Sequence, residues 1–406
     1  MSHRHNVDYN KKTEKEVLFI MNRGLAKNST SEHIMGAILA QLATTCKSVH
    51  ILQMTRKNES VTTPSKVDSG KLTVDTVCIN PHDKGKLIIR YFAAIKNYFG
   101  YIRYLKKYRH CDSVFLQSTN VAGFIVWLVK RYVKNARIIY NVQDVFPYNL
   151  AYCGRIRMGG VVFNALAKIQ RYGYQHADTI ITISEDMKET LVKDGVDPGK
   201  IVVIYNWSYQ DNIYNEIDLS PVLHLFNNNK FNVVYAGNVG LMQNVDIMID
   251  VASCFRENKG IMFHIIGNGV NVERLKKKVA DEGLYNVSFW PLQPPELAPL
   301  IYCAADINFV PLKENIYRTA LPSKTATVFA CQKPVIMAIG KNSIFAQKAT
   351  LHGCIVTESN AVYEIVRAIK SIKNGNVATV DEDYFRSSFS ITLNSKKYAD
   401  IITSSL

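Results

Sequence analysis

Residues 231–254, FNVVYAGNVGLMQNVDIMIDVASC, decide the fold. Phe231–Ala236 is rich in β-branched and aromatic residues and predicts a strand. It runs into Gly237-Asn238-Val239-Gly240, and apolar residues at helical spacing follow over Val245–Cys254. Strand, glycine loop and helix form the opening unit of a parallel sheet covered by helices. The unit recurs at once, because Met262–Ile266 reads as a strand and ends on Gly267-Asn268-Gly269-Val270. Further strands are predicted at Val287–Trp290, Ile307–Val310, Val335–Ala338 and Cys354–Val356. Upstream, the polar, asparagine-rich stretch 207–230 interrupts the alternation. Before it an equivalent series runs through Val17–Met21, Val49–Leu52, Ser113–Leu116, Ile138–Val142, Thr179–Ile183 and Ile201–Ile204. The expected organisation is an α/β chain of two doubly wound domains, 1–208 and 209–385, facing a central cleft. Residues 386–406 are expected to form a helix returning to the first domain. Ligands of such sheets bind beyond the carboxyl ends of the strands, so the cleft is the default site.

The 406 residues suit two domains rather than one. With 47% hydrophobic and 20% charged residues, 21 Gly and 12 Pro, the composition is globular and excludes fibrous or low-complexity chains. The apolar stretch Val121–Val129 is far short of the roughly 20 residues of a bilayer-spanning helix. The short apolar run Val17–Met21 lacks the length and cleavage site of a signal peptide, so a cytoplasmic protein is expected. The eight cysteines form no C-x-x-C pair, which predicts buried, reduced thiols with neither a zinc site nor a disulfide framework.

The net charge of +15 is one-sided. Residues 1–200 carry 30 Lys+Arg against 16 Asp+Glu, whereas 201–406 carry 19 against 18. Such a field draws anions to the first half: nucleic acid, an anionic membrane surface or a phosphorylated substrate. The segment Lys84–Arg109 places Leu87, Tyr91, Phe92, Ile95, Phe99, Ile102 and Leu105 at helical spacing with Arg103, Lys106, Lys107 and Arg109 among them. It predicts a basic, tyrosine-rich amphipathic helix suited to a membrane interface or to packing on the sheet. Nucleic acid is not the expected partner, because no helix-turn-helix, RNP-like or zinc-finger pattern accompanies the charge.

Four loops carry chemistry. Asn22-Arg23-Gly24-Leu25-Ala26-Lys27-Asn28-Ser29 follows the first strand, and Ser29-x-x-Glu32 is a capping box whose free amides can hold an anion. The loops at Gly237, Gly240, Gly267 and Gly269 let backbone approach phosphate or base, or simply pack closely. Pro311-Leu312-Lys313-Glu314 is followed by Leu321-Pro322-Ser323-Lys324-Thr325, where Lys324 stands in a helix start against the dipole, a placement that suggests a diphosphate partner or else a solvated surface lysine.

Taken in order, Gly237-Asn238 with Gln243-Asn244, Gly267-Asn268-Gly269, Leu292-Gln293, Ala305-Asp306, Pro322-Ser323-Lys324 and Pro334-Val335 resemble family 4 glycosyltransferases of the GT-B fold, with two Rossmann-like domains. The first half agrees. Tyr140-Asn141-Val142-Gln143-Asp144-Val145-Phe146-Pro147, Ile183-Ser184-Glu185-Asp186 and Ile204-Tyr205-Asn206-Trp207 resemble a subgroup that builds bacterial capsules and O-antigens, including N-acetyl-L-fucosaminyl transferases. The resemblance implies a retaining, metal-independent transferase that needs no cofactor and uses a nucleotide-sugar, expected to be UDP-linked. The charge of the first domain and the basic aromatic helix lead to the expectation of a polyprenyl-diphosphate-linked glycan as acceptor at the inner face of the plasma membrane. Asp144 and Lys324 then become candidate catalytic residues. Gly237, Asn238, Gly240, Gln243, Gly267, Asn268, Gly269, Gln293, Lys313, Glu314, Ser323 and Thr327 fall to the donor, and Arg23, Asn28, Ser29 and Gln143 to the acceptor. Arg103, Lys106, Lys107 and Arg109 fall to the membrane. The chain departs from the family pattern at Asn238 and Gln243, where an Arg and a Lys are common, at Thr327, where a ribose-binding Glu is common, and at Gln143, where a His is common. A nucleotide-sugar epimerase of the same architecture and a non-enzymatic membrane adaptor are the competing readings.

Overall fold

A computed structural model describes residues 13–25, 30–56, 70–79, 87–226 and 229–404. The first sheet holds seven parallel strands: β1 (Glu16–Ile20), β2 (Ser48–Arg56), β3 (Leu72–Ile79), β4 (Ser113–Gln117), β5 (Arg137–Val142), β6 (Thr179–Thr182) and β7 (Ile201–Val203). Their spatial order is β3-β2-β1-β4-β5-β6-β7. The second sheet holds β8 (Phe231–Ala236), β9 (Ile261–Ile266), β10 (Val287–Trp290), β11 (Ile307–Pro311), β12 (Val335–Ala338) and β13 (Ile355–Thr357), in the order β10-β9-β8-β11-β12-β13. Both sheets reverse direction of winding beside their first strand, and the loops after β1 and β4 and after β8 and β11 open at those reversals.

The central strands are apolar on both faces, as β9 (IMFHII) shows, because helices cover both sides. One strand is absent from the sequence reading. β3, LTVDTVCI, is an edge strand with a half-exposed pattern, and its threonines and Asp75 hide it among the polar residues around it.

The basic segment is not one helix. It divides into helices Leu87–Tyr98 and Ile102–Lys107, joined by a 3₁₀ turn at Phe99–Tyr101, while Lys84–Lys86 lie outside the described residues. Gly100 occupies that turn, and a Cβ there would lie 2.9 Å from Val77 on β3. The tyrosines turn inward: Tyr98, Tyr101, Tyr104 and Tyr108 are buried, and the Tyr101 hydroxyl donates to the Met21 carbonyl at 2.7 Å. They are core, whereas Arg103, Lys106, Lys107 and Arg109 are exposed. Among the described residues no helix is long and apolar enough to cross a membrane.

The chain crosses between the domains twice. After the linker, helix Glu382–Phe389 packs Phe385 and Phe389 into the second domain. Helix Ile391–Thr403 then buries Tyr398, Ala399 and Ile402 against Phe19, Phe115 and Ile139 of the first sheet. The turn between these helices is held by Asp211, which accepts from the hydroxyls of Ser390 and Thr392, each at 2.5 Å. A second tie is Asp186 of the first domain. Its buried carboxylate accepts from the Ser343 hydroxyl (2.8 Å) and from the amides of Ile344 (2.8 Å) and Phe345 (3.0 Å), capping helix Ile344–Leu351 of the second domain. The Val145 amide donates to the Thr319 carbonyl at 2.8 Å beside it. These bonds set how the two halves of the cleft face each other.

Candidate functional site

The two glycine loops of the second domain are stacked. Gly237 and Gly267 have φ of 140° and 148°, a region closed to most L-residues. The Val239 amide donates to the Asn268 carbonyl at 2.9 Å, and Asn271 Nδ2 donates to the Gly240 carbonyl at 2.9 Å. A Cβ at Gly267 would stand 1.8 Å from the Gly237 oxygen, and one at Gly269 would stand 2.1 Å from the Val239 oxygen. Gly267 and Gly269 therefore allow the lower loop to support the Gly237–Gly240 loop from beneath.

Gly237 has a second role, which is to make room for Lys324. A Cβ there would lie 3.0 Å from Nζ. The ammonium donates to the Ala236 carbonyl at 2.8 Å and stands 3.6 Å above the Tyr235 ring. The Tyr235 hydroxyl in turn donates to the Asn238 carbonyl at 2.5 Å. Among the described residues no carboxylate pairs with Lys324, and burial pushes its pKa down to about 7. This is not a solvated surface lysine. It is a desolvated cation held under a glycine loop without a counter-charge.

The opposite wall comes from the loop after β5. Gln143 is fixed by a chain of hydrogen bonds. Its Nε2 donates to Asn141 Oδ1 at 3.0 Å, its Oε1 accepts from Asn206 Nδ2 at 2.9 Å, and Asn141 Oδ1 also accepts from the Tyr398 hydroxyl at 3.1 Å. Asp144 follows with a carboxylate that has no hydrogen-bond partner among the described residues. Both domains crowd it and displace bulk water, which pushes its pKa up to about 7, although the side chain itself stays open to solvent within the cleft.

Between the walls lies a cavity of about 320 Å³, bordered by Gln143, Asp144 and Asn206 from the first domain and by Met242, Gln243 and Ser323 from the second. A wider, open depression at Ser253–Lys259 and Lys370 lies at the start of β9, on the side of the second domain remote from the glycine loops, and has no such convergence of groups.

The remaining candidates scatter. Lys324 follows directly on Pro322 and Ser323, which line the cavity, and Asn238 Nδ2 reaches Gln243 Oε1 at 3.4 Å. Lys313 is half-buried, with its amide donating to the Met242 carbonyl at 2.9 Å, while Glu314 is exposed. Gln293 bonds back to the Pro291 carbonyl at 3.0 Å and does not border the cavity. Thr327 is buried within its short helix and does not border it either. Arg23 is exposed outside the lining, and Asn28 and Ser29 lie outside the described residues. Sequence reasoning assigned no site role to Asn206, Gln117, Ile34, Met35 or Met242, all of which border the cavity. Asn206 had a signal in Ile204-Tyr205-Asn206-Trp207; Tyr398, which steadies Gln143 from 255 residues away, had none.

Two family models match the chain: a glycosyl transferase 4-like domain over residues 41–207 and glycosyl transferases group 1 over residues 218–382. The chain belongs to the family 4 glycosyltransferases of the GT-B fold. It is 23% identical to the "Probable glycosyltransferase WbjE" of Pseudomonas aeruginosa over 337 residues, which is 80% of this chain and 84% of that protein. It is 28% identical to the "Putative colanic acid biosynthesis glycosyl transferase WcaI" of Escherichia coli (strain K12) over 233 residues, 53% of each chain. Among solved structures, Anabaena Alr3699/HepE in complex with UDP and glucose superposes with a TM-score of 0.69 at 14% identity, covering 96% of this chain and 100% of that one. The protein is thus a glycosyltransferase related to enzymes of surface polysaccharide synthesis.

Proposed function

We propose that the protein transfers a sugar, of the N-acetylated deoxyhexosamine type, from a UDP-linked donor to a polyprenyl-diphosphate-linked glycan at the inner face of the plasma membrane, with retention of configuration and without a metal ion. The observation that carries this reading is Lys324, an unpaired cation beneath the Gly237 loop at the edge of a cavity whose far wall holds Asp144. Transfer breaks the bond between the anomeric carbon and the donor diphosphate, and negative charge develops on the departing oxygen. Lys324 and the amides of Gly237–Gly240 are preorganised to receive that charge. Asp144, whose pKa stands near neutrality, is suited to orient the acceptor hydroxyl and accept its proton. Gln143, fixed through Asn141 and Asn206, contributes to the acceptor wall. The solved complex of HepE with UDP and glucose supports a UDP-linked donor, and the names of the two relatives support a surface glycan as product.

The membrane reading draws on Phe99 from the basic segment and on Trp127 outside it, not on the segment's buried tyrosines. Phe99 and Trp127 are about half exposed, and Phe124 bridges them with ring centroids 5.3 and 5.8 Å away. Arg103, Lys106 and Arg131 are exposed on the same helices as Phe99 and Trp127 or on the one that follows. An aromatic patch with a basic rim suits an anionic leaflet. The deciding experiment is turnover of a nucleotide-sugar panel on lipid-linked and free acceptors with product analysis. Transfer to the lipid-linked glycan supports the proposal; release of an altered sugar nucleotide with no acceptor consumed defeats it.

A further inference from the structure

At the opposite edge of the first sheet, where the strands begin, a second group of polar side chains converges. One ligand atom from each of His50, His110 and Cys111 falls within 4.8 Å of the others. Glu16, the first residue of β1, joins them: its Oε2 is 2.8 Å from His110 Nε2 and 4.0 Å from His50 Nε2. We propose that Glu16, His50, His110 and Cys111 form a binding site for a divalent transition metal, zinc foremost, that ties the starts of β1 and β2 to the turn leading into β4.

The donor set is that of zinc. One thiolate, two imidazoles and one carboxylate make four ligands, and their two negative charges balance the ion. Sulfur and nitrogen together disfavour calcium and magnesium, which take oxygen. Donors around a tetrahedral zinc at about 2.0–2.3 Å stand roughly 3.5 Å from one another, a spacing approached by the Glu16–His110 pair at 2.8 Å and by the three ligand atoms within 4.8 Å.

The surroundings already orient these groups as outer partners orient metal ligands. His50 Nδ1 lies 2.5 Å from Thr73 Oγ1; with the proton assigned to Nδ1 and donated there, Nε2 accepts from the Ser48 hydroxyl at 3.3 Å, a single neutral contact that a metal ion would displace, and lies 4.0 Å from Glu16 Oε2. The His50 ring is stacked on Tyr108 at 4.3 Å, which limits its rotation. Lys47 takes the other oxygen of Glu16, Oε1, at 2.8 Å and leaves Oε2 to the cluster. The Glu16 amide donates to Asp112 Oδ2 at 2.8 Å, which fixes the backbone at the strand start. The nearby cation Lys107 is engaged by Asp75 at 2.8 Å. Nothing in the sugar-transfer site accounts for this group, because the cavity lies beyond the other ends of the strands.

Cobalt(II) titration of the metal-stripped full-length protein tests the site, with His3→Ala and His5→Ala introduced to remove two further imidazoles. The expected result is one cobalt per chain with tetrahedral ligand-field bands and a sulfur-to-cobalt charge-transfer band, displaced by zinc. Cys111→Ser should abolish the charge-transfer band, and His110→Ala, at an exposed position whose loss leaves the core untouched, should weaken cobalt binding at least about tenfold. The proposal is overturned if no saturable binding occurs. It is equally overturned if the charge-transfer band survives Cys111→Ser, which would place the metal on the exposed thiols Cys78 or Cys254, or if affinity is unchanged in His110→Ala.

Discussion

Replacing Lys324 with methionine, which keeps the side-chain volume and removes the charge, should separate donor recognition from folding. Burial strips water from the ammonium and leaves it one carbonyl and one ring face, so its pKa falls from 10.5 to about 7. A shift of that size corresponds to about 5 kcal/mol against the charged form. A donor diphosphate arriving within a few ångströms reverses this penalty, and the lysine takes up a proton on binding. Well below pH 7 the amine is already protonated and uptake is small, whereas at pH 8 it is mostly neutral and uptake approaches roughly 0.9 proton. Calorimetry of a UDP-sugar at pH 6 and pH 8, in buffers of different ionisation enthalpy, reads this number directly. A UDP-sugar suits the measurement because its diphosphate has no proton of its own near neutrality. An Asp144→Asn background removes the other neutral-range group facing the cavity. In that background, uptake should rise with pH for Lys324 and vanish for Lys324→Met. Turnover in Lys324→Met should fall at least about a hundredfold, the loss of roughly 2.7 kcal/mol typical for one preorganised donor. Proton uptake that persists in the variant, or near-normal turnover in a folded variant, refutes the role.

Asp144→Asn should leave donor affinity within about twofold and reduce transfer strongly. Because the ionised form is the proton acceptor, and bound diphosphate keeps Lys324 protonated, kcat of the wild type at saturating donor should rise with pH through about 7, and that limb should disappear in the variant. Asp186→Ala strands the Ser343 hydroxyl and two helix amides, so the unfolding free energy should drop by about 3 kcal/mol; an unchanged denaturation midpoint would contradict its role as an interdomain cap. Gly267→Ala forces a methyl into the Gly237 carbonyl at positive φ and should cost several kcal/mol, with loss of soluble protein or a marked fall in melting temperature. Gly36→Ala, where a Cβ meets nothing within 4 Å, is the control. Replacing Arg103, Lys106, Lys107 and Arg109 together should weaken sedimentation with anionic liposomes by orders of magnitude at low salt, at about 1 kcal/mol per residue, with Lys107 contributing least because Asp75 already holds it. Phe99→Ser with Trp127→Ser should weaken it independently, and a wild-type protein that remains in the supernatant argues for a soluble acceptor.

What the chain determines by itself is the local alternation. Apolar runs such as Phe231–Ala236 and Ile138–Val142 need burial on both faces, the glycines that end β8 and β9 require close packing or positive φ, and both properties are written into consecutive residues. Two parallel sheets and a cleft at the carboxyl ends of their strands follow from that alone. Tertiary structure decided whatever depends on neighbours distant in sequence. β3 escaped notice because an edge strand buries only half its surface and keeps a polar alternation. The basic segment breaks at Gly100 because β3 lies against that turn, and its tyrosines go inward because the first sheet, not a membrane, is the apolar surface they meet. The character of Lys324 is likewise invisible in Pro322-Ser323-Lys324-Thr325. Only the fold puts Tyr235, Ala236 and Gly237 around its ammonium and removes its water, and desolvation is a property of the whole enclosure rather than of the residue. The convergence of Glu16, His50, His110 and Cys111 has the same origin, since a search for closely spaced cysteines cannot find ligands that parallel strands bring together from segments up to 95 residues apart.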